Sequence, residues 1–149
     1  MIGWGPRQYA PIHDHPVGGC LGKVVRGPGL IETHYRKTKQ SLHGGGRDIQ
    51  SVLSNKMMIS DKTKVYRCVQ NTGEKNSHGC QLKNETFALI TELKTYETTT
   101  ENLQVTHQRG YDHMHSVMNP HNETTLTLHH YYGDYHISFW IEVEQPNFL

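Results

Sequence analysis

Helical periodicity is weak along the whole chain, whose short strand-like stretches are punctuated by Gly, Pro and Asn, and that limits what it can fold into. Gly22 to Val25 and Leu30 to Tyr35 read as strands joined by a turn at Arg26-Gly27-Pro28-Gly29. Lys64 to Gln70, Thr86 to Leu93, Asn102 to Thr106, Thr124 to Tyr132 and His136 to Val143 read the same way. The one helix expected is short, Ser51 to Ser60. Residues 37–83 are polar, contain Gly44-Gly45-Gly46, and read as a central loop insertion carrying a single strand. The expectation is an all-β sandwich or barrel, formed as one domain over residues 1–149.

Composition removes several classes of function. The formal net charge is +1 and Lys and Arg are spread thinly, so no basic patch points to nucleic acid. No apolar run approaches the roughly 20 residues that cross a bilayer. The start, Met1-Ile2-Gly3-Trp4-Gly5-Pro6, has neither the basic opening nor the apolar core of a signal peptide. Cys20, Cys68 and Cys80 are odd in number and irregular in spacing, unlike a disulfide framework. The expected compartment is the reducing cytoplasm, the chain a monomer, and the Asn84 and Asn122 sequons chance matches.

Twelve histidines are many for 149 residues, and their positions carry the argument. His13-Asp14-His15 falls in a candidate strand, so both imidazoles share one face and Asp14 takes the other. Such a pair suits adjacent positions on one metal ion, and it equally fits two surface histidines on an edge strand. His115 lies four positions before Asn119, whereas His113 lacks that spacing. His130 faces away from His129. For His34, His43, His78, His107, His121 and His136 a surface position is expected. Cys68, His78 and Cys80 have no recognisable zinc spacing.

Trp4-Gly5, seven residues, His13-Asp14-His15, four residues and Cys20 form a pattern that resembles the first motif of the cysteine dioxygenase family of cupins. Lys23-Val24-Val25-Arg26-Gly27 and Ile31-Glu32-Thr33 are similar to two of its strands. His115, Val117 and Asn119 resemble its second motif, and Thr127, His129 and Tyr131 its last. The resemblance covers residues 1–36 and about 101–139. It implies a cupin-type jelly-roll barrel that binds Fe(II) through His13, His15 and His115 and oxidises cysteine with O2 to cysteine sulfinic acid. Most cupins carry a glutamate ligand where Cys20 stands here.

Further roles follow from the same likeness. Three neutral imidazoles leave the dication uncompensated, which favours a thiolate ligand near neutral pH. Cysteine would bind through sulfur and amine, with O2 in the remaining position. Tyr131 would aim its phenol at the metal, with His129 holding Tyr131 and Thr127 holding His129. A thioether crosslink between Cys20 and Tyr131 is also implied. Family members carry an N-terminal helical segment with an arginine for the substrate carboxylate. This chain begins three residues before Trp4, so that segment is expected to be missing. Arg7, Arg26, Arg67 and Arg109 have no motif that would make any of them its substitute.

Overall fold

Antiparallel ladders account for most of the described backbone. The computed structural model describes residues 1–15, 19–37, 61–101, 106–108, 113–132 and 137–143, and these contain no helix. The strands are β1 (Ile2–Trp4), β2 (Tyr9–Asp14), β3 (Cys20–Arg26), β4 (Leu30–Lys37) and β5 (Thr63–Lys75). They continue as β6 (Gln81–Thr98), β7 (Thr106–Gln108), β8 (His113–Met118), β9 (Thr125–Tyr131) and β10 (Ile141–Glu142). The expected helix at Ser51–Ser60 lies outside the described residues. So do residues 102–105 of the Asn102–Thr106 strand, leaving Thr106 to open β7.

Two sheets result, ordered β1-β9-β3-β7 and β10-β5-β6-β4-β8-β2. They curl into a half-barrel, in keeping with the expected all-β sandwich. Period-two alternation gives the six-stranded sheet two apolar faces. One face contributes Leu30 and Val117, which cluster with Trp4 and Val24 of the four-stranded sheet. The other gathers Ile12, Tyr66, Cys68, Ala88, Ile90, Met114 and Trp140. This second core is enclosed because residues 138–142 reach both edges of the sheet. Trp140 N donates to Ile12 O on β2, Ser138 O accepts from Asp14 N, and Ile141 and Glu142 then pair with β5. Asp14, expected on the face away from the histidines, accepts from Ser138 N and from Trp140 Nε1. That ties the sheet edge to the second core.

The polar central stretch departs from expectation. Strand structure runs from Thr63 to Lys75 and resumes at Gln81, where loop was expected beyond Gln70. Beyond Gln70 the sequence is mostly polar, so no apolar alternation announces the outer part of the strands. Cross-strand hydrogen bonding, paired from Thr63↔Thr91 out to Lys75↔Gln81, carries them instead. Asn76 shapes the tip, its Oδ1 accepting from the backbone N–H groups of His78 and Cys80 at 2.9 Å each. The His136–Val143 strand is shorter than expected: Phe139 makes one bridge to His13, and β10 holds two residues.

The β3–β4 turn brings the two sheets together, and glycine makes it possible. Gly27 has φ +102°, and a Cβ there would lie 2.6 Å from Thr124 O and 2.7 Å from Thr125 Cα. Gly79, at the hairpin tip, also has positive φ but meets nothing within 4 Å. Gly27→Ala should therefore cost about 3 kcal/mol, from strain plus displaced backbone, and Gly79→Ala only about 1 kcal/mol. Urea unfolding midpoints of the two variants check the difference.

Candidate metal centre

Strand register brings the site together. His13 on β2 lies opposite His115 on β8, and His115 lies opposite His34 on β4, making a row across three adjacent strands. Two residues along, on the same face, stand His15 just past the end of β2 and Glu32 on β4. His15 is 1% exposed and Glu32 5%. His115 Nε2 lies 2.8 Å from His15 Nε2 and 3.0 Å from His13 Nε2.

Hydrogen bonds on the far side of two rings fix their tautomers. His13 Nδ1–H donates to Pro11 O at 2.8 Å, and His115 Nδ1–H donates to Glu32 Oε1 at 2.6 Å. The Pro11 carbonyl is placed by a register shift in β2 between Ala10 and His13, at a residue with no N–H for the ladder. With both protons on Nδ1, the Nε2 atoms of His13 and His115 are bare acceptors facing each other, with no ring proton to place between them. A cation between them removes that conflict. A spacing near 3 Å also suits ligands on neighbouring positions of one ion with metal–nitrogen bonds of about 2.1 Å. His13, His15 and His115 are thus a buried group that can hold a metal ion.

Electrostatics favour an ion there over a proton. Burial, then the nearby His115 charge, lowers His13 to about 4 and His15 to about 3. Both are neutral ligands near pH 7. Burial pushes Glu32 upward, but hydrogen bonds from His115 and His34 outweigh it and hold the carboxyl at about 2. An ionised carboxylate therefore backs His115 although none belongs to the histidine trio. The carboxylate–imidazole pair orients the ring and makes its Nε2 a stronger donor to a metal.

The four-stranded sheet supplies the facing wall. Thr127, His129 and Tyr131 share one face of β9, as their spacing predicts, and the Cα of Cys20 on β3 pairs with that of Tyr131. His129 Nε2 lies 2.9 Å from Thr127 Oγ1, which also accepts from Trp4 Nε1 at 2.9 Å. His129 Nδ1 is 3.5 Å from Cys20 Sγ, and the His129 and Tyr131 rings stack 5.9 Å apart. The Tyr131 ring is 5.8 Å from that of His15. Burial, then the Glu32 charge, raises Cys20 to about 11 against a hydrogen bond from Tyr131, so its thiol stays protonated. Burial, then the His115 charge, brings His129 down to about 4. Between the sheets lies a cavity of about 120 Å³ lined by all three candidate ligands, His129, Tyr131 and apolar side chains including Val117, Ile137 and Phe139.

The remaining expectations sort by face. His113 and His130 are exposed, and neither belongs to a group of side chains able to hold an ion. His34 is not the surface residue expected: its side chain is 15% exposed, because it stands opposite His115 and bonds Glu32 at 2.8 Å. Together with Glu32 and His115 it forms a second group able to hold an ion. The signal for this pair was Glu32-Thr33-His34, two polar residues on one strand face. Asn119 serves the backbone, its Nδ2 reaching the carbonyls of Trp4, Gly5 and Glu123. Cys68 is buried and Cys80 exposed, both unpaired. Arg7 and Arg67 bond Asn122 and Glu85, Arg26 is exposed, and Arg109 lies outside the described residues. No helix among the described residues is long and apolar enough to cross a membrane.

The buried histidines predict how metal-stripped protein responds to acid. Folded-state values for His13, His15 and His129 lie below 6.5, so the unfolded chain takes up more protons as pH falls from about 6.5 to 4. Stability should be full above that window and fall within it, by at most about 1.4 kcal/mol per pH unit for each group. Glu32 extends the loss from about 4.5 toward 2. Urea midpoints measured between pH 7.5 and 4 test this, and a flat profile would contradict it. No protein family, curated protein or solved structure matches the chain, so its own geometry carries the functional reading.

Proposed function

We propose that this chain is a non-haem Fe(II) thiol dioxygenase that oxidises a small thiol, with cysteine going to cysteine sulfinic acid. The supporting observation is that three buried imidazoles share one small cavity with Tyr131, with Cys20 and His129 beside that phenol. The reaction RSH + O2 → RSO2H balances by itself. Sulfur gives up four electrons, O2 accepts four, both oxygen atoms go to sulfur, and no further reductant is needed. Iron(II) held by His13, His15 and His115 would supply the positive charge that keeps the substrate thiol ionised and the redox capacity to join sulfur to O2.

The chain's own groups do the rest. The Tyr131 phenol lines the cavity hydrogen-bonded to Cys20, and its ring is held between His129 and His15. Trp4, through Thr127, keeps His129 in place. The Cys20 thiol, protonated and buried, does not compete with substrate as a second thiolate. Ile2, Val117, Ile137 and Phe139 make the cavity walls apolar, which keeps bulk water from the reacting sulfur. Among the described residues no guanidinium lines the cavity to grip a substrate carboxylate with two hydrogen bonds. Cysteamine, which has no carboxylate, should then be oxidised within about tenfold of the rate for cysteine.

The test is O2 uptake by protein loaded anaerobically with Fe(II) and given L-cysteine, cysteamine or 3-mercaptopropionate, with the sulfinate identified by mass. Stoichiometric uptake is expected with cysteine. Tyr131→Phe should slow it about 100-fold with iron content unchanged, and His115→Ala should lose the iron. Uptake with none of these thiols while iron stays bound would reduce the chain to a metal-binding protein without this chemistry.

A further inference from the structure

Behind His115 a line of polar side chains leads away from the cavity, and the oxidation chemistry above makes no use of it. Glu32 Oε1 accepts from His115 at 2.6 Å and from His34 at 2.8 Å. The Tyr96 hydroxyl bonds the same His34 nitrogen, and the ring of Tyr96 carries Lys94 Nζ 5.1 Å from its centroid. Register explains why these groups meet. On β6, Tyr96 lies opposite Glu32 and Lys94 lies opposite His34, while His34 lies opposite His115 on β8. The line therefore runs across three strands, from a buried candidate ligand to the partly exposed Tyr96.

We infer that His34 and Tyr96 are positioning residues for the metal centre, acting through Glu32 to hold His115 with its Nε2 turned toward the ion. This rests on the reading of His13, His15 and His115 as ligands. The physical need is specific. One Glu32 oxygen takes both imidazole hydrogen bonds, so the carboxylate sits where the two donors pull it together. Without His34 a buried anion keeps a single donor and is free to rotate about its last torsion, and the His115 ring loses its fixed partner. Tyr96, set against the same His34 Nε2, limits the swing of that ring.

The test measures Co(II) affinity by competition with a chelator, Co(II) absorption bands, ion stoichiometry and the urea midpoint of the metal-stripped chain. The chains compared are wild type, His34→Leu, His34→Gln and Tyr96→Phe. Wild type should take one Co(II) per chain. His34→Leu should bind it about 10-fold more weakly, with shifted bands. His34→Gln, which restores an N–H donor near the same place, should recover to within about threefold of wild type. Tyr96→Phe should weaken binding by about threefold. If His34→Leu does not fold, Tyr96→Phe and His34→Gln decide the matter. Wild-type affinity and bands in Tyr96→Phe, or in a folded His34→Leu, would overturn the inference and leave the three-histidine site standing. Two ions per chain would also overturn it, since Glu32 and His34 would then be ligands themselves. A wild-type chain that binds no Co(II) would remove the site and the inference with it.

Discussion

Imidazole nitrogens packed within 3 Å of one another need protons or a cation between them, and burial denies them the protons. His13 and His115 are in that position, their ring protons held on the outward nitrogens, and His15 Nε2 lies 2.8 Å from His115 Nε2. The surrounding strands serve this constraint. Pro11 turns a carbonyl to His13, Glu32 turns a carboxylate to His115, and in both rings the proton is drawn to the outward nitrogen. His15 differs: its Nδ1 is buried and has no hydrogen-bond partner among the described residues. Two of the three rings are thus oriented by hydrogen bonds from behind, and the third has none among the described residues.

Glu32 changes the charge balance expected for three neutral ligands. The carboxylate lies one hydrogen bond away from the ion's position. Were an ion bound there, the carboxylate could lend negative character through the His115 ring without itself occupying a coordination position. A ligated glutamate would supply the same charge and take up such a position. On the opposite wall, the Trp4–Thr127–His129 line does for β9 what Glu32 does for β8. Each sheet brings its own braced imidazole to the gap between them.

Legibility in the sequence followed one rule: features set by period-two alternation could be read, and features set by register could not. His13 and His15 share a face because they are two apart. Thr127, His129 and Tyr131 do so for the same reason, and strands such as β3 and β4 carry enough apolar alternation to be recognised. Glu32 and His34 show the same spacing, yet their meaning depends on which strand pairs with β4 and at what offset. His115 is 83 residues from Glu32, and no local pattern encodes that pairing. In the 63–98 hairpin Lys64–Gln70 and Thr86–Leu93 could be read as strands, but the part nearer the tip failed to show for the opposite reason. Its outer half is polar on both sides, so alternation is absent where backbone hydrogen bonds alone maintain the strand. Asp14 was placed on the correct face, but its partners in the 138–140 segment were beyond the reach of spacing.

That last contact governs how the centre comes into being in time. Asp14 and Ser138 are 124 residues apart, and Trp4 bonds Thr127 across 123. During synthesis β1 and β2 emerge early and must wait, unpaired, until β8, β9 and the 138–142 segment follow. Throughout that interval His13 and His15 behave as ordinary solvated imidazoles, open to any passing ion. Only the late strands give them a third partner and exclude water. Any choice these rings make among competing metals would therefore fall to the final closure of the fold.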